Sequence, residues 1–161
     1  MVGVPRRALQ GKNMTSGSNK TFSIRKAVDE DLDIVKKIAD AHRNELGFVL
    51  RPSLEGSIRN DEMLIAELSN QLVGFVDYHR RKDRRITLYH IAVLDDNQRL
   101  GVGRALVKAL CDEAKKAGSE FISLKCPTDL AANLFYKAYG FTLTETLNGR
   151  KRPLNVWRLS L

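Results

Sequence analysis

The stretch from Leu88 to Leu110 constrains this chain most, because it reads as strand, polar loop, glycine pair and helix in immediate succession. Leu88-Tyr89-His90-Ile91-Ala92-Val93 is a β-prone run, and Leu94-Asp95-Asp96-Asn97 is the loop. Gln98-Arg99-Leu100-Gly101-Val102-Gly103-Arg104 then leads into an apolar-striped helix. A glycine turn that enters a helix exposes backbone N–H groups with no intrahelical acceptor, beside the positive end of the helix dipole. That combination suits phosphate oxygens. Two familiar phosphate motifs do not fit. The third glycine of a dinucleotide fingerprint would fall at Leu106, and no Gly-Lys-Ser/Thr follows the loop.

The flanking sequence predicts the rest of one domain. Phe22 to Lys26 alternates like a strand. Asp29 is predicted to cap a helix whose buried face carries Leu32, Val35, Ile38, Ala39 and His42, with His42 read as a core-edge residue. Pro52 opens a short helix through Ile58. Met63–Leu68, Leu72–His79 and Arg85–Val93 form an antiparallel meander around turns at Ser69–Gln71 and Arg80–Arg84. A helix over about Gly103–Ala117 stops at Gly118, and a strand over Phe121–Cys126 is ended by Pro127. A further helix runs from Thr128 or Asp129 to Gly140, and strands Phe141–Glu145 and Pro153–Leu161 close the sheet.

Composition excludes several classes. With 43% apolar and 29% charged residues, the 161-residue chain has an ordinary globular balance. No apolar run is long enough to span a bilayer, and the first residues lack a secretory core, so the expected location is cytoplasmic. Cys111 and Cys126 form no disulfide framework, and His42, His79 and His90 lack ligand spacing, so no metal is expected. The first twenty residues carry Arg6, Arg7, Lys12 and Lys20 and no acid, which is half of the formal net charge of +8. Residues 1–20 are therefore read as a disordered basic extension, with Met14 as an alternative start, and 21–161 as a single domain.

Two spaced motifs, in this order and context, resemble the GNAT superfamily of acetyl-CoA-dependent N-acetyltransferases, over roughly Phe22 to Leu161. The first, Gln/Arg-x-x-Gly-x-Gly/Ala, is met by Gln98, Gly101 and Gly103. The second, Ala-x-x-x-Tyr-x-x-x-Gly-Phe, is met by Ala132, Tyr136, Gly140 and Phe141. The resemblance implies a mixed α+β fold. Its central sheet would have six to seven mostly antiparallel strands, splayed between the fourth and fifth and flanked by about four helices. It also implies acetyl-CoA as cosubstrate. The backbone at Ile91, Ala92 and Val93 would hold the pantetheine arm by strand addition, and the amides of Arg99, Leu100, Gly101, Val102, Gly103 and Arg104 would cradle the diphosphate. Asn133 would hydrogen-bond the cofactor. Tyr136 matches the family's general acid, a phenol able to donate to the leaving thiolate. The acceptor would be a small-molecule or peptide amine, and a homodimer is left open.

The base is the open position. The family often places Glu or His on the fourth strand near Thr87, and a threonine hydroxyl is no base. His90 has the best-suited side chain, although strand alternation turns it to the face opposite Thr87 and Tyr89. Asp77, His79 and a held water are the alternatives. Cys126 is read as a small buried residue, since direct transfer needs no acyl-enzyme. Two other functions compete: a basic nucleic-acid-associated module, drawing on the run Arg80–Arg85 and on Arg150-Lys151-Arg152, and a CoA-binding sensor without catalysis.

Overall fold

The computed structural model describes residues 8–15 and 21–161. Ala8–Thr15 forms strand β1, paired antiparallel with β2 (Thr21–Lys26). This corrects the disordered reading for those eight residues; 1–7 and 16–20 lie outside the described residues. The outer edge of β2 presents a row of backbone donors and acceptors, and a segment can add to such an edge through its main chain without an apolar pattern.

The described chain divides into two compact units. One comprises residues up to Tyr78 with His90–Leu110, the other His79–Tyr89 with Cys111–Leu161. The sequence predicts a single domain; the boundaries fall inside β4 (Gln71–Arg80), β5 (Ile86–Val93) and α4 (Val102–Lys116), three elements whose residues belong to both units.

In the first unit the strands lie in the order β1-β2-β3-β4, with β3 at Met63–Leu68. All these pairings are antiparallel. The β3–β4 turn places Ser69 and Asn70 at positive φ of 51° and 65°, the backbone of a tight primed hairpin turn. Helix α1 (Leu32–Ala41) buries Val35, Ile38 and Ala39, spaced as one helical face. Its entry differs from expectation. Asp29–Asp31 form a 3₁₀ turn, and the Asp31 carboxylate, not that of Asp29, accepts the Val28 N–H at 2.8 Å. Asp31 also accepts from buried Arg25, which donates to Glu67 as well, so one guanidinium ties β2, β3 and the 3₁₀ turn together. After the single-turn α2 (Arg43–Leu46), α3 (Arg51–Arg59) begins with Pro52 in its first turn and buries Leu54 and Ile58 against α1. His42 is buried, its Nδ1 2.8 Å from the Ile38 carbonyl. At Gly74 a Cβ would come within 2.9 Å of the Ala92 carbonyl oxygen, so only glycine lets β4 approach the end of β5 this closely.

In the second unit the order is β5-β6-β8-β7, with β6 at Phe121–Pro127, β7 at Thr142–Asn148 and β8 at Pro153–Ser160. The β5–β6 pairing is parallel and runs only over Ile86↔Ile122 and Thr87↔Ser123. By contrast, β6 pairs with β8 along its whole length, to Pro127↔Leu154. The parallel ladder therefore stops while both strands continue, which is the splay expected between the fourth and fifth predicted strands. Counting β1, the described residues hold eight strands.

Helix α5 (Ala132–Tyr139) starts a few residues later than predicted, after turns over residues 128–131. Gly140, at φ 124°, ends it.

Candidate active site

The glycine loop is built from its backbone. The 3₁₀ turn Asp95–Asn97 leaves β5, and Gln98 then reaches back. Its side-chain amide donates to the Val93 carbonyl at 3.0 Å and to Asp95 Oδ1 at 3.2 Å. This explains a glutamine at the head of the motif: it braces the loop on the strand it leaves. Arg99 and Gly101 follow at φ 64° and 84°. Successive residues of alternating hand point their N–H groups into one concavity, an arrangement that receives anions. Helix α4 closes its first bond from the Ala105 N–H to the Gly101 carbonyl at 3.0 Å. Among the described residues, the amides of Arg99, Leu100, Gly101, Val102 and Gly103 have no protein acceptor. Open space surrounds the position a Cβ would take at Gly101, so glycine is set there by φ, not by crowding.

In the same unit, His90 meets Asp77. The ring Nδ1 lies 2.8 Å from Asp77 Oδ2. The Asp77 side chain is 1% exposed and that of His90 21%. Asp77 Oδ1 is buried without a hydrogen-bond partner among the described residues. Of the alternatives to Thr87, then, two stand together. The third, His79, stacks on Tyr89 at a ring separation of 6.2 Å in the other unit.

The second unit holds Tyr136, Asn133 and Cys126. Tyr136 is 6% exposed and meets Phe135 and Phe141 edge-on, each at 5.5 Å. Gly140 produces that packing: its positive φ folds the chain back so that the Phe141 N–H reaches the Tyr136 carbonyl at 3.0 Å and the Phe141 ring meets the tyrosine. The Gly-Phe pair of the second motif thus seats the tyrosine ring. The Tyr136 hydroxyl has no hydrogen-bond partner among the described residues. Burial pushes its pKa well above the usual phenol range, with Cys126 adding to the shift, so the group keeps its proton and remains a donor. Burial likewise pushes the Cys126 thiol up to about 11, and such a thiol is no nucleophile at neutral pH.

Asn133 departs from expectation. Its Nδ2 donates to the Pro127 and Leu130 carbonyls at 2.8 Å each. Its Oδ1 accepts from Asn155 Nδ2 at 3.1 Å and from Trp157 Nε1 at 2.8 Å. Both ends of the amide are committed within the protein, so Asn133 is a clasp between α5, β6 and β8. The sequence shows no sign of Asn155 or Trp157 as its partners.

Of the predicted site residues, His90 to Val93 and Arg99 to Arg104 stand in the first unit, and Asn133 and Tyr136 in the second. The basic turn over residues 80–85 is partly neutralised from within. Arg81 donates to Thr87 and to the Tyr89 hydroxyl, and Arg85 to Asp83. Cys111 and Cys126 are buried and form no disulfide, and no metal-ligating cluster exists, among the described residues. No helix among them is long and apolar enough to cross a membrane.

Residues 32–141, more than half of the chain, match the family model described as Acetyltransferase (GNAT) family, and the chain belongs to that family. Solved structures show the same fold. Ard1 from Thermoplasma volcanium superposes with a TM-score of 0.79 at 22% identity, covering 87% of this chain and 97% of that one. The ribosomal-protein-S18-alanine N-acetyltransferase from Escherichia coli gives 0.72 at 21%, with 86% and 93% covered. A putative streptothricin acetyltransferase from Bacillus anthracis, in complex with acetyl coenzyme A, gives 0.73 at 20%, with 87% and 98% covered. A search of curated proteins gave no match.

Proposed function

We propose that the protein moves the acetyl group of acetyl-CoA to a primary amine by direct attack. The observation that carries this reading is the run of unpartnered amides from Arg99 to Gly103, in a chain that belongs to the GNAT family. Orphan donors at a helix start, beside the positive end of its dipole, are suited to an anion's oxygens. Here they would take the diphosphate, with Arg99 and Arg104 adding positive charge, and the backbone at Ile91 to Val93 would take the pantetheine arm. The Val93 carbonyl already accepts from Gln98, which leaves strand addition to the remaining polar groups of that segment.

An ammonium has no lone pair, so the acceptor must first lose a proton. His90 is the proposed base. The freed amine attacks the thioester carbon, the C–S bond breaks, and the departing thiolate takes a proton from the Tyr136 hydroxyl, which recovers one as the acylated nitrogen sheds its surplus proton. Cys126 takes no part. Structures of similar fold include a protein described as acting on a ribosomal-protein alanine and an N-acetylglutamate synthase from Neisseria gonorrhoeae holding coenzyme A and N-acetyl-glutamate. The acceptor class proposed here is accordingly a peptide or small-molecule amine.

The test is thiol release from acetyl-CoA over a panel of peptide N-termini, lysine peptides, polyamines, aminoglycosides and amino acids. One class is expected to release CoA in step with acetylated product. Absence of product across the panel, with no stabilisation of the protein by acetyl-CoA, would refute the reading.

A further inference from the structure

A carboxylate as buried as Asp77 is expensive. Removing a charged group from water is strongly unfavourable unless partners replace the lost hydration. Among the described residues the Asp77 side chain has one hydrogen-bond partner, His90, and its second oxygen is buried with none. It lies opposite Met63 in the β3–β4 register, beside an apolar cluster that includes Met63, Phe75 and Ala92. An apolar side chain at this position would pack without such a penalty. The His90 contact is the one interaction on hand that accounts for an acid here.

That contact has a chemical consequence. A carboxylate only accepts, so the 2.8 Å approach requires the proton of a neutral imidazole to sit on Nδ1. The lone pair is then on Nε2, on a ring whose side chain is 21% exposed, while the acid beneath it is 1% exposed. Nε2 is the atom a base must use. The same contact fixes the ring plane, since rotation about the Cβ–Cγ bond would break it. We propose that Asp77 is the positioning residue for His90: it selects the Nδ1–H tautomer, holds the ring, and stabilises the imidazolium formed when Nε2 takes the proton of the acceptor ammonium. The proton goes from acceptor nitrogen to Nε2. This rests on the proposed role of His90 as base.

The experiment has two arms. Nitrogen-15 NMR of His90 in the wild-type protein reads the tautomer without any turnover. The neutral ring is expected to be protonated at Nδ1, and Asp77→Asn to shift it towards protonation at Nε2. Kinetics with an accepted amine form the second arm. Asp77→Asn should lower kcat about a hundredfold with KM for acetyl-CoA unchanged. His90→Ala should fall similarly and regain turnover with added imidazole, and the double variant should fall no further than His90→Ala. A merely structural Asp77 would lower thermal stability and leave the tautomer and kcat of the folded protein as they were. A wild-type ring protonated at Nε2, or full kcat in Asp77→Asn, overturns the proposal. If no acceptor is turned over at all, acetyl transfer itself fails, and the tautomer arm still decides the Asp77–His90 pairing.

Discussion

Trp157 donates its indole N–H to Asn133 Oδ1 at 2.8 Å, tying the closing strand to the helix that carries Tyr136. A motif asparagine that would be expected to face a ligand is here a joint of the framework. Trp157 is the sole tryptophan of the chain, which makes the joint observable by fluorescence.

Asn133→Ala removes the side-chain contacts to Pro127, Leu130, Asn155 and Trp157 and leaves the buried indole N–H unmet. The expected loss of stability is about 2 kcal/mol, near the cost of a buried donor without a partner. Chemical unfolding followed by Trp157 emission measures it, and the folded-state emission should itself change.

Tyr136→Phe keeps the ring among Phe135 and Phe141 and deletes only the hydroxyl. Since that hydroxyl has no partner among the described residues, stability should change by less than about 1 kcal/mol. If the phenol serves the leaving thiolate, kcat should fall by about a hundredfold while acetyl-CoA affinity holds. Equilibrium unfolding and steady-state kinetics on one preparation separate these effects.

Cys126 gives a pH prediction. Its thiol is raised to about 11 from 9.0, chiefly by burial, so the folded state favours the protonated form. The resulting stabilisation is complete below about pH 9 and is lost as pH rises through about 11. Alkylation of the native protein should therefore be slow at about pH 8, well below the folded-state value. Cys126→Ala should show a smaller loss of stability across the interval from 9.0 to about 11. Intact mass after mixing with acetyl-CoA should show no acetyl group on Cys126.

Gly101→Ala tests the loop. Its φ of 84° costs an L-residue about 1 kcal/mol, and the surrounding space is open, so the fold should survive with a small drop in melting temperature. Acetyl-CoA binding should weaken, as the amides are displaced from their common focus.

What the sequence reveals here is local. The apolar alternation of Met63 to Leu68 and the helical spacing of Val35, Ile38 and Ala39 are decided by short-range periodicity and stand as strand and helix. Gly101 announces the loop because few other residues adopt its φ. Three features escape such reading. The strand Ala8–Thr15 is held by the main chain of β2, and main-chain pairing leaves no side-chain pattern. The Asn133 clasp joins residues 22 and 24 positions apart, and the Arg25–Glu67 pair spans 42. The Asp77–His90 contact needs register between β4 and β5, which neither strand's own pattern specifies.

The amides of Arg99 to Gly103 are the heart of the account, and a nitrogen-15 NMR titration with coenzyme A reads them one by one. Saturable shifts of these amides, reproduced more weakly by a dephosphorylated pantetheine lacking the diphosphate, are the expected result. Resonances that stay in place up to millimolar coenzyme A would contradict it.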